Sequence, residues 1–119
     1  MEIINIKEKF DLINGFYDPK IVGELNNQQV RLAKFKGEFK YHKHDHEDEM
    51  FMVIQGEIII DTQEKLVNVK QGEFIIIPKG QVHRPIAEKE AHVMLFVTSE
   101  NVNTGDKVNE FTKEEIERI

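Results

Sequence analysis

The feature that most constrains this chain is its punctuation. Glycine, proline and pairs of small polar residues recur at short intervals, and the stretches between them are rich in Val, Ile and Phe but too short for helices. Residues 20–25, 29–35, 39–44, 49–54, 57–61, 65–69, 74–77 and 91–98 read as strands. Turns fall at Asn26-Asn27, Gly37, Gln55-Gly56, Thr62-Gln63-Glu64, Gln71-Gly72 and Lys79-Gly80. Strands at this regular spacing predict an all-β sandwich or barrel. With 119 residues, a second core would leave each half too small to bury enough apolar surface, so one domain is expected over 1–119, with the barrel over about 20–98.

The two ends differ from the middle. Thr112 and Glu115 have capping-box spacing and Ile116 and Ile119 lie one helical turn apart, which predicts a short C-terminal helix. Residues 2–13 fit neither an edge strand nor a short helix cleanly and are left unassigned. The first ten residues mix Glu2, Lys7, Glu8 and Lys9 with isoleucines and lack the apolar block of a secretory signal, so a cytoplasmic protein is expected. No apolar stretch approaches the roughly 20 residues that span a bilayer. A formal net charge of −6, with acids and bases interspersed, argues against a nucleic-acid partner, which calls for a clustered basic face.

The chain contains no cysteine, so a bound metal ion would have to be held by nitrogen and oxygen. Residues two apart in a strand share a face, which sets the imidazoles of His42 and His44 side by side. Glu49 opens the next strand after a polar bend and can bring a carboxylate back beside them. The run His-x-His, four residues, Glu, six residues, Gly arises by chance in roughly one of 10^5 starting frames at ordinary residue usage. A second pattern follows, with Gly72, Pro78, Gly80 and His83: two glycines for turns, a proline that ends the run at Ile77, and a histidine delivered from a distant strand. His46 shares strand parity with His42 and His44 and could replace one of them, although only the His42–His44 pair leaves the four-residue gap to Glu49. His92 lies in an apolar strand, as a structural or pocket-lining residue.

The segments from Gly37 to Gly56 and from Gly72 to His83 resemble the two motifs of the cupin superfamily. That resemblance implies a single cupin barrel, a double-stranded β-helix or jelly roll, of the small single-domain microbial kind. It matches His42, His44 and Glu49 to the metal ligands of the first motif and His83 to the ligand of the second. Two positions depart from the pattern. Gly37 stands one residue closer to the first histidine than usual, and Ala87 occupies a place where asparagine is often found.

Three imidazoles and a carboxylate suit iron, manganese, nickel, copper, cobalt or zinc, and we expect one divalent ion per chain. Four protein ligands on an ion that accepts six leave positions open for chemistry. With Glu49 inward, Phe51 and Val53 share its face and line a pocket, and Arg84 beside His83 is a candidate partner for an anionic ligand. Met50, Met52 and Ile54 then face outward and need cover from the N-terminal segment, the C-terminal helix or a second subunit, and a homodimer is expected. The function expected is a metal-dependent enzyme acting on a small oxygenated molecule, dioxygenase- or isomerase-like as in similar small cupins. The alternative is a non-catalytic module that binds metal or a small ligand.

Overall fold

The computed structural model of the chain describes residues 1–106, 108–113 and 115–119. A short helix α1 (Ile6–Asp11) precedes seven strands: β1 (Lys20–Leu25), β2 (Gln28–Glu38), β3 (Glu49–Gln55), β4 (Glu57–Asp61), β5 (Leu66–Lys70), β6 (Phe74–Ile77) and β7 (Arg84–Thr98). Every pairing between them is antiparallel. The strand order is β1-β2-β7-β3-β6, and β4 joins both β5 and the start of β7. The C-terminal half of β7 thus lies between β2 and β3, while its first residues, Arg84 to Ile86, pair with β4. One long strand shared between two sets of partners curls the sheet into the expected barrel.

Side-chain alternation decides what is inside. In β3, Glu49, Phe51 and Val53 are buried, and in β7 Ala91, Val93, Leu95 and Val97 are buried. They meet the inward side chains of β2, β4 and β5, among them Ala33, Phe35, Ile58, Ile60 and Val69, in one apolar core. The strand β7 begins seven residues earlier than its apolar pattern indicates. Its middle, Glu88-Lys89-Glu90, is exposed and charged, which hides the continuity of Pro85 and Ala87 with the buried row.

Both ends differ from expectation in an instructive way. The N-terminal segment is helical because Asn5 caps it, its side chain accepting a hydrogen bond from the Glu8 backbone N–H at 2.9 Å. Phe10 and Ile13 then pack on the outer face of the sheet against Val22 and Leu32, with Ile54 and Ile119 at the margin. The expected C-terminal helix is absent from the described residues of 112–119, while Glu114 of its capping box lies outside them. Their backbone is spent elsewhere: Ile21 N–H donates to the Glu117 carbonyl at 2.9 Å, and Ile119 N–H donates to the Ile21 carbonyl at 3.0 Å. A chain end hydrogen-bonded to the edge of β1 cannot also close a helix. Among the described residues no helix is long and apolar enough to cross a membrane.

Candidate metal centre

The segment carrying His42 and His44 was expected as a strand, and it is extended without a continuous ladder. His42 and His83 form an isolated antiparallel bridge, each N–H donating to the other's carbonyl at 2.9 Å. Gly80 N–H donates to the His44 carbonyl at 2.8 Å, and Asp106 N–H donates to the Lys43 carbonyl at 3.1 Å. The turn at Gly80 and the segment around residue 105 therefore hold this stretch in place of neighbouring strands. Gly105 fits there because it has a φ of +66° and because a Cβ at this position would come within 2.1 Å of the Lys43 carbonyl oxygen.

The geometry brings the four side chains together. One donor atom each from His42, His44, Glu49 and His83 lie within 4.8 Å of one another, and all four residues are buried. An ion about 2.1 Å from each donor places opposite donors about 4.2 Å apart, so this set is close to the spacing a divalent transition metal requires. The Nδ1 of His42 lies 2.8 Å from the Lys40 carbonyl and the Nδ1 of His83 lies 2.9 Å from the Gln81 carbonyl. A carbonyl only accepts, so both Nδ1 atoms carry the proton and both Nε2 lone pairs are left for the centre. The Nε2 of His83 is 2.9 Å from Glu49 Oε1. His44 Nε2, 3.3 Å from Glu49 Oε2, is a buried polar atom with no hydrogen-bond partner among the described residues. A buried orphan nitrogen facing a carboxylate and two more imidazole nitrogens is what a ligand cluster presents.

Electrostatics favour the ligating forms of His42 and Glu49 but not of His44. Burial, aided by the neighbouring His83, pushes the pKa of His42 down to about 4, so its imidazole is neutral at pH 7. Burial pushes the Glu49 carboxyl up, but His44 and His83 outweigh it and leave it well below the usual carboxylate range. Burial pulls His44 down, and the adjacent Glu49 outweighs that and leaves it raised.

Two residues that the sequence reading passed over complete the surroundings. Asn101 is buried and its Nδ2 donates to Glu49 Oε2 at 3.2 Å, with His44 Nδ1 at 3.5 Å. Arg31 is 2% exposed and its Nη1 donates to the Asn101 carbonyl at 3.0 Å. Arg31 had a signal, a charged side chain on the inward parity of an apolar strand; Asn101, in a turn, had none. A cleft of about 410 Å³, including its open mouth, runs up to the cluster and is lined by His42 and Glu49 together with Arg31, Phe35, Phe39, Phe51, Leu95 and Asn101. Phe51 thus faces the cleft, whereas Val53 lies one rung deeper in the apolar core.

Arg84 lies away from this cleft. It pairs with Glu38 at 2.6 Å and Asp61 at 3.1 Å and stacks over the Tyr41 ring, because it points to the opposite side of β7 from Pro85, which does line the cleft. His46 is exposed and outside the four-residue cluster. His92 faces the outer layer, its ring stacked 4.6 Å from Phe10 and its Nε2 2.8 Å from Glu90, and so has a structural place outside the lining of this cleft. Ala87 is part of the apolar core.

Comparison with known proteins agrees with this geometry. A family model described as cupin domain matches residues 29–99. The uncharacterized protein YdbB of Bacillus subtilis (strain 168) is 45% identical over 64 residues, 53% of this chain and 57% of that protein, so the match spans little more than half the relative's length. The crystal structure of a cupin-2 domain containing protein from Shewanella frigidimarina superposes with a TM-score of 0.78 at 36% identity, over 79% of this chain and 92% of that one. A protein from Neisseria meningitidis gives 0.76 at 26% identity, over 82% of this chain and all (100%) of that one. Because the matched span covers more than half of the sequence and contains all four clustered donors, the chain belongs to the cupin family.

Proposed function

We propose that the chain is a metal-dependent cupin enzyme, with His42, His44, Glu49 and His83 holding one divalent transition-metal ion and the adjoining cleft admitting a small oxygenated substrate. The observation that carries this reading is the orphaned Nε2 of His44, set among three other donors whose protons are already directed elsewhere or absent. When bound, the ion supplies Lewis-acid polarisation of a substrate oxygen or, if redox-active, access to dioxygen chemistry. The protein's own part is positional. Lys40 and Gln81 carbonyls fix two imidazole tautomers, Asn101 holds one oxygen of Glu49, and Phe35, Phe39, Phe51 and Leu95 keep bulk water from the substrate side.

The test is to strip the chain of metal, reload it separately with ferrous iron, manganese, nickel and zinc, and follow oxygen uptake and product formation with diketones, catechols, keto acids and sugar phosphates. Turnover with at least one metal that disappears in Glu49→Ala supports the enzyme. Tight ligand binding without turnover under every metal makes the chain a binding module instead.

We further propose that the protein works as a homodimer. Phe74 and Ile76 on the edge strand β6 are 59% and 56% exposed, and they pair across the sheet with Met52 and Met50. Ile54 finds its cover in the layer around α1, while the Met50 and Met52 side chains lie outside that layer. A second copy is the cover this face lacks. Sedimentation is expected to give twice the chain mass, and Phe74→Glu together with Ile76→Glu is expected to give the monomer. A wild-type monomer from micromolar to millimolar concentration removes the proposal.

A further inference from the structure

We propose that the cleft binds a small monocarboxylate and that Arg31 is the residue that receives its charge. This inference rests on the reading of the cleft as the ligand site beside the clustered donors.

The guanidinium of Arg31 is almost fully buried, on the inward side of β2 opposite Leu95. Its partners are all neutral: Nε donates to Gln29 Oε1 at 3.0 Å, Nη1 to the Asn101 carbonyl at 3.0 Å and to Asn101 Oδ1 at 3.5 Å, and Nη2 to the Ser99 carbonyl at 3.4 Å. A guanidinium carries five N–H groups, so among the described residues at least one on Nη2 is left without an acceptor. Among the described residues no carboxylate forms an ion pair with it. Buried arginines are almost always paired, because an unmatched charge is costly away from water. Arg84, the other arginine near the site in sequence, has both its carboxylates and an aromatic face and needs nothing more.

Charge and shape point the same way. A divalent ion on three neutral imidazoles and one carboxylate keeps a net positive charge, and Arg31 adds another, of which Glu47 offsets one. Glu47 and Glu49 are the carboxylates whose field reaches Arg31, but Glu47 accepts from Thr98 Oγ1 and lies 3.4 Å from His44 Nδ1, and Glu49 belongs to the clustered donors, so neither is in direct contact with the guanidinium. The rest of the wall facing Arg31 is apolar, from Phe35, Phe39, Phe51 and Leu95, which strengthens a charge-assisted bond by excluding water. The cleft, about 410 Å³ with its open mouth included, suits a small acid better than an extended one. A planar carboxylate suits the guanidinium fork.

Acetate and its neutral isostere acetamide are the probes, titrated by calorimetry into the metal-loaded full-length chain, with ion content measured on the same samples. Acetate should bind at least about tenfold more tightly than acetamide. Compared at saturating ion, Arg31→Gln should lose about 10- to 100-fold in acetate affinity, the range for removing a hydrogen bond to a charged group, and Arg31→Lys should recover part of it. A measurement on the unaltered chain stands beside the variants: the guanidinium nitrogen resonance of Arg31 should shift with acetate and not with acetamide, with and without metal. Unchanged acetate affinity in an Arg31→Gln chain that keeps its ion overturns the proposal, as does an Arg31 resonance that stays put at saturating acetate. A chain that takes up no ion while its Arg31 still answers to acetate removes the metal reading and upholds this one.

Discussion

The barrel interior has two ends built from the same three strands, and they do different work. Toward one end Ala33, Val93 and Val53 form a rung across β2, β7 and β3. One rung along, the same strands present Arg31, Leu95 and Phe51, and beyond that β2 offers Gln29 and β3 offers Glu49. Inward parity is kept throughout, while residue type changes from aliphatic to ionisable within four residues. The aliphatic end carries the burial that holds the barrel together, and the polar end carries charges that burial penalises. A cupin barrel can hold a cluster of buried ionisable donors at one end because the other end is packed without it.

If the two ends are separable, damage to each should read out differently. Ile58 on β4 is fully buried in the apolar core and outside the cleft lining, and Ile58→Ala should lower unfolding free energy by about 2–5 kcal/mol in chemical denaturation. Ion affinity of the folded fraction should stay within about twofold. A matching loss of ion affinity would mean that the ends are one cooperative unit.

The polar end should dominate the acid response of the metal-free chain. His42 has a folded-state pKa of about 4, below the value near 6.5 of an exposed histidine, so between those values the unfolded chain binds the proton that the folded chain refuses. The stability tied to neutral His42 is complete above about pH 6.5 and is lost as pH falls toward about 4, about 3 kcal/mol over that window. His44 is shifted the other way and offsets part of this. The difference between the pH profiles of wild type and His42→Gln isolates the effect, and parallel profiles would contradict it.

Smaller effects sharpen the boundary of the polar end. Asn101→Ala frees one oxygen of Glu49 and should weaken ion binding about tenfold in a competitive chelator titration, with little change in thermal midpoint. His46→Ala should leave ion binding unchanged within about twofold, since the side chain is exposed and outside the cluster. Ion loss in the His46 variant comparable to that in His44→Ala would move the cluster toward the Asp45–Glu47 bend.

How far the sequence is legible follows from what kind of signal each part carries. Strands β1, β4 and β6 lie where their apolar runs and flanking turns place them, because short-range patterning alone defines them. The four clustered donors share the same advantage, each tied to a fixed spacing from a turn or strand. The termini do not. Asn5 with Glu8 and Thr112 with Glu115 have the same capping spacing, yet among the described residues only the first begins a helix. What separates them is tertiary: Phe10 and Ile13 find an apolar face on β1 and β2, while the chain near Glu117 finds free backbone groups at the edge of β1. Asn101 reaches the cluster only because the chain after β7 turns back over the barrel mouth, and Arg84 misses the cleft because strand parity at Pro85 turns it outward.

X-ray absorption at the metal edge of the cobalt(II)-loaded chain tests most directly that one ion is held jointly by these four side chains. The spectrum is expected to contain the outer-shell scattering of three imidazoles around each ion, with nitrogen and oxygen donors at about 2.0–2.2 Å and no sulfur. Scattering from one imidazole or none, at one ion per chain, would place the metal elsewhere and leave the His42, His44, Glu49 and His83 cluster without the role assigned to it.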